Sequence, residues 1–149
     1  VKRGSVGSRT ALRKAEAVLK QKGFLGIYPE AGTWAGVLRP PRPGTAFLAA
    51  RSGARLLPMG FYGLRGMFGR IAKGQRPKVE ARIGKPFGPF STTGRGRERR
   101  RQLDEIGHEI MARIAELLPA HKRGYYSADP KIREAAMEVA DFPWHDLEG

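Results

Sequence analysis

The stretch that decides the fold is Phe24-Leu25-Gly26-Ile27-Tyr28-Pro29-Glu30-Ala31-Gly32-Thr33-Trp34. It opens as an apolar run with little alternation, which suits a strand covered on both faces. Pro29 breaks the run, and the chain then delivers a carboxylate, a glycine and a hydroxyl in quick succession. A turn of this kind at the rim of a sheet exposes polar groups to a ligand while the strand behind stays packed.

Working outward, Ser8 is suited to cap a helix over residues 10–22, with Leu12, Ala15, Val18 and Leu19 as its apolar stripe. Gly23 then takes the left-handed position that ends it. Downstream, Pro43-Gly44 opens a second helix that runs through Ala50 and stops near Gly53. Residues 55–62 form a mostly apolar strand interrupted by Pro58. A loop rich in Gly and Arg follows. Residues 78–83 alternate Val79, Ala81 and Ile83 against Lys78, Glu80 and Arg82, the pattern of a strand with one wet face. Leu103, Ile106, Ile110, Ile114 and Leu117 step by three and four, which predicts a long helix over 98–118 ended by Pro119. A last helix is expected near 132–139. The order helix, strand, helix, strand, strand, helix predicts an α/β fold: a mixed, partly parallel sheet flanked by helices.

The chain has 149 residues, 40% hydrophobic and 28% charged, so one folded core is expected. Cysteine is absent, which excludes disulfides and thiolate chemistry. The histidines are scattered and give no metal spacing. No apolar run approaches the roughly 20 residues needed to span a bilayer. The basic start Val1-Lys2-Arg3 leads into Gly4-Ser5, not into the apolar stretch of a signal peptide. A valine at position 1 leads us to expect coding sequence upstream, and with it a sheet that is incomplete at its N-terminal side. The formal charge of +14 favours anionic partners, and its densest block is Arg95 to Arg101, broken only by Gly96 and Glu98. Taken alone, that block reads as a solvated helix face in a basic protein before it reads as a partner site.

The turn resembles, with Ala31 as an extra residue, the Phe-Pro-Glu-Gly-Thr-Arg signature of glycerophospholipid acyltransferases, the lysophosphatidic acid acyltransferase family. Around it, Val1-Lys2-Arg3-Gly4 looks like the end of the family's basic motif, with Arg3 at the arginine. Arg39-Pro40 and Pro43-Gly44-Thr45-Ala46 resemble the run into a small-residue helix. Leu56-Leu57-Pro58-Met59 resembles the later proline-containing strand, and Leu118-Pro119 through Tyr126 resembles the tail. The resemblance implies that 1–126 is the C-terminal part of an acyltransferase domain and that 127–149 add a helix and tail. It implies substrate-binding roles for Arg3, Glu30, Gly32 and Thr33. It also implies acyl-CoA or acyl carrier protein as co-substrate with no further cofactor, a lysophospholipid acceptor, and a peripheral place on the cytoplasmic face of a membrane.

Two departures bear on mechanism. Trp34 stands where the family has arginine, leaving open whether Arg39 or Arg42 replaces that charge. The family's base is a histidine with an aspartate five residues on. Here the residue five after His108 is Arg113 and the residue five after His121 is Tyr126, while His145 lies too near the end. No catalytic residue is therefore assigned, and the chain by itself is expected to be silent. Two other classes remain open: a non-catalytic peripheral domain touching anionic lipid through the arginine block and Met67-Phe68, and a nucleic-acid-binding module. The second needs aromatics interleaved with cations on one surface, whereas the aromatics here fall inside predicted elements, so no nucleic acid is expected.

Overall fold

The computed structural model describes residues 6–30, 36–64 and 66–138, with side chains described from Thr10 onward. In chain order the elements are α1 (Val6–Lys20), α2 (Pro43–Ser52), β1 (Met59–Tyr62), α3 (Met67–Ala72), β2 (Glu80–Ile83), α4 (Gly96–Glu116) and α5 (Pro130–Glu138). Single 3-10 turns at Ala120–Lys122 and Gly124–Tyr126 precede α5. Helices and strands are both present, but the sheet is not partly parallel. It has two antiparallel strands, with Met59 opposite Ile83 and Tyr62 opposite Glu80.

The expected strand over 24–28 does not form: its backbone is irregular, and Phe24 is 100% exposed. A strand exists only where neighbouring backbone satisfies its amides and carbonyls. Among the described residues no strand pairs with this run. The strand expected over 55–62 is shortened for a related reason. Pro58 has no amide to donate, so Leu56 makes only an isolated bridge with Phe87 and β1 begins at Met59.

The described residues fall into two compact units. The first takes residues 1–33, 40–56 and 86–111. Here α1 packs on α2. Arg51 Nε donates to Glu16 Oε2 at 2.8 Å, and Lys20 Nζ lies 3.0 Å from Glu16 Oε1. The first bond holds Glu16 below the usual carboxylate range second to Lys20, whose hydrogen bond is the larger cause. Ser8 lies inside α1, not before it. At the other end Lys22, not Gly23, is the left-handed residue (φ 58°), with the Gly23 amide donating to Val18 O at 2.9 Å. Gly23 is needed for space, since a Cβ there would lie 2.8 Å from Val18 Cγ1. α2 runs as read, from Pro43 to a left-handed Gly53 (φ 63°). Ala46, Leu48 and Ala49 of α2 and Ile106, Ile110 and Met111 of α4 are buried.

The second unit takes residues 34–39, 57–85 and 112–149. Leu38 is held at both backbone groups: its amide donates to Lys122 O at 3.1 Å, and its carbonyl accepts from Tyr125 N at 3.0 Å. That approach requires Gly124 (φ 51°), where any Cβ would run into the Leu38 carbonyl. Asp129 starts α5 by accepting from the Lys131 amide at 2.9 Å, and α5 packs on the Gly124–Tyr126 turn. The hairpin lays Gly60 against Leu117 and Leu118, each 3.1 Å from where a Cβ would sit. Sequence alternation assigned Val79, Ala81 and Ile83 to the packed side. That side is not packed: Ala81 and Ile83, with their partners Phe61 and Met59, form an exposed face. The face carrying Gly60 is the one that can approach Leu117 and Leu118 closely, and it wins.

Two expectations follow for stability. Gly124→Ala combines a positive φ with a backbone clash and should cost about 2–4 kcal/mol. Gly53→Ala, with a similar φ but no atom within 4 Å, should cost only about 1 kcal/mol. Urea midpoints of the two variants compare them directly. Glu16 is depressed in the folded state, so the stability it contributes is present above the unfolded carboxylate range and lost as pH falls through its folded value. Protection factors of the α2 amides should therefore fall on acidification, and Glu16→Gln should remove that response.

Candidate functional site

Pro29 is held by a long-range bond: the Arg42 amide donates to Pro29 O at 2.8 Å. Local sequence explains why Arg42 supplies it. In Pro40-Pro41-Arg42-Pro43 the prolines have no N–H, so Arg42 carries the one amide, on an extended backbone (φ −96°, ψ 144°). Pro29 is buried and Glu30 half-buried. The carboxylate-bearing turn thus lies at the start of α2, inside the first unit.

Arg42 is the N-cap residue of α2 and Pro43 its first helical residue. A guanidinium offers no acceptor, so Arg42 cannot satisfy the first-turn amides as serine or aspartate would. An exposed cation at the positive end of a helix favours negative charge. Arg39, the other candidate to replace the family arginine, is 2% exposed. Of the two, Arg42 is the one open to solvent.

A third element shapes the site. Gly107 of α4 faces Pro41, and a Cβ there would stand 3.0 Å from Pro41 Cγ and 3.2 Å from its Cβ. The bare helix surface is what lets the proline segment lie down. Sequence reading passed over Gly107, although an isolated glycine beside Ile106 in a helical stripe is a signal of close approach.

Of the residues expected to bind substrate, only Glu30 is placed. Arg3, Gly32 and Thr33, like Ala31 and Trp34, lie outside the described residues. His108 sits on α4 with Nε2 3.8 Å from Asp104 Oδ2, an i,i+4 pair on the helix surface. His121 is exposed in a 3-10 turn. Among the described residues no three acidic or histidine side chains are grouped to hold a metal.

Two arginines of the block, Arg99 and Arg101, have distinct partners. Arg101 bonds Glu98 at 2.9 Å and lies 3.2 Å from Glu105. The Arg101 bond holds the Glu98 carboxyl below its usual range. The guanidinium carbons of Arg51 and Arg99 lie 5.9 and 5.8 Å from the Phe47 ring centre. Gln102 Oε1 accepts from the Thr93 and Gly94 amides at 3.1 and 3.2 Å, tying down the loop before α4. Glu98 also answers the helix dipole that the arginines oppose.

Gly107→Val should push Pro41 off α4 and cost about 1–3 kcal/mol, read as a lowered urea midpoint together with faster exchange of the Arg42 amide. Comparison with protein-family models, curated proteins and solved structures finds no match, so the reading of this site rests on its own residues.

Proposed function

We propose that the protein transfers an acyl group from an acyl thioester, acyl-CoA or acyl carrier protein, to the hydroxyl of a lysophospholipid of the 1-acylglycerol-3-phosphate kind, in phospholipid biosynthesis. This chain supplies the acceptor-binding part, and the histidine–aspartate base lies outside it. The observation that carries the reading is the Arg42 N–H to Pro29 O bond, which seats the Pro-Glu turn on the cationic start of α2. A phosphate suits that place, because an arginine fork and first-turn amides both stabilise oxyanions. Glu30 then accepts from the glycerol hydroxyl or orients an arginine. Arg3 adds a second fork, and Gly32 and Thr33 give close backbone approach and a hydroxyl. In the reaction the base takes the proton of the acceptor hydroxyl, the oxygen attacks the thioester carbonyl, and the thiolate leaves.

The acceptor and product are lipids, so the protein works at a membrane surface, on the cytoplasmic face. Among the described residues no helix is long and apolar enough to cross a membrane. A second reading, anionic-lipid binding without turnover, is favoured by the exposed Phe68 and Ile71 of α3.

The test uses the protein from its complete reading frame, assayed with labelled acyl thioester and lysophosphatidic acid. Upstream coding sequence should carry the histidine–aspartate pair. Arg3→Ala should raise KM for the lysolipid about tenfold or more, and Glu30→Gln should lower kcat/KM by a similar factor. A complete frame without the pair, or lysolipid binding with no turnover, would overturn acyl transfer and leave the second reading.

A further inference from the structure

The β1–β2 connection is an exposed loop of the second unit. It closes at its base where Gly63 (φ 86°) passes the Lys78 carbonyl so tightly that a Cβ would collide with it. Above that neck the chain is held by its own hydrogen bonds. Met67 N donates to Leu64 O at 3.1 Å, Arg70 N to Gly66 O at 3.0 Å, and both Gly74 N to Ile71 O and Gln75 N to Arg70 O at 2.9 Å. These bonds hold the short α3, in which no residue is buried. Its apolar side chains stand in water: Phe68 is 79% exposed, Ile71 54% and Leu64 49%. Phe68 and Ile71 are three apart within α3, which brings them to one side of it. Arg70, Lys73, Arg76 and Lys78 are all exposed around them, and no Asp or Glu occurs from 63 to 79.

We infer that this loop is the element that docks the protein on an anionic lipid bilayer, with Phe68 and Ile71 entering the headgroup–acyl boundary and the surrounding cations meeting lipid phosphates. The choice of occupant follows from charge and shape. The rim is uniformly cationic, so it complements a surface of one sign. Protruding apolar side chains on a hydrogen-bonded turn suit a fluid interface that parts around them. A nucleic acid would use the cations but leave Ile71 and Leu64 without a role. The inference names the place of the membrane contact proposed above. It does not need acyl transfer, and its test contains neither thioester nor lysolipid, so the two readings fail separately.

The chain has no cysteine, so Phe68→Cys can carry an environment-sensitive dye at one position, with Glu134→Cys on α5 as the control. The vesicles are phosphatidylcholine with or without phosphatidylglycerol. Expected are a blue shift and quenching by lipid-borne nitroxide at position 68 on the anionic vesicles, and neither at position 134. Lys73→Glu should weaken vesicle binding by about fivefold or more, since each cation near an anionic surface contributes on that order. Phe68→Asp should weaken it by about tenfold or more, with unchanged far-ultraviolet circular dichroism showing that the fold survives. Vesicle binding with no shift at position 68, unchanged binding by Phe68→Asp, or binding to duplex DNA or RNA in place of vesicles would each overturn the assignment.

Discussion

Two backbone amides, those of Leu38 and Arg42, place the segment on which the site depends. Between them run Arg39, Pro40 and Pro41, and the prolines can neither donate a hydrogen bond nor join a helix interior. In the second unit Leu38 is clasped by Lys122 and Tyr125, and in the first the Arg42 amide holds Pro29. Losing the Arg42 amide bond would leave the Pro29 carbonyl, on a buried residue, without its acceptor role and detach the Glu30 turn from α2.

The helices were legible because their information is local. The stripe of α4, the Pro43 start and Gly53 stop of α2, and the place of α5 follow from spacing and cap chemistry within a few residues. α3 escaped because it is a single short turn between glycines, with too few residues to show a period. The sheet was misread for the opposite reason. An apolar run such as 24–28 states that a strand is possible, but only a partner strand makes it one, and the partner is not a property of the run. The hairpin face was misassigned because alternation reports which side chains are apolar. Packing instead selected Gly60, whose missing side chain gives Leu117 and Leu118 room.

The candidate site shows the same division. Pro29 and Glu30 stand out in the sequence because proline ends an apolar run and a carboxylate follows. That Arg42 and not Arg39 is the solvent-facing cation could not be read there, since the two lie three residues apart in one proline-rich segment. Burial separates them, and burial depends on residues far along the chain. Gly107 sits in between: its position in a helical stripe signals a close approach, but Pro41 as the thing approached emerges only from the fold.

Net charge is a poor guide to where an anion meets this protein. The arginine block has the densest positive charge in the sequence, yet Glu98 and Glu105 flank Arg101, and Arg99 is spent on the Phe47 ring. Pairs of this kind on a helix surface weaken the field around Arg101. The loop from 63 to 79 has as many cations, more widely spaced, and no acidic neighbour within it. Its apolar side chains are also displayed and not packed. Charge without compensation, next to apolar surface without a cover, marks a binding face more strongly than charge density does. The same physics that makes the arginine block a stable helix start makes the β1–β2 loop costly to leave in water.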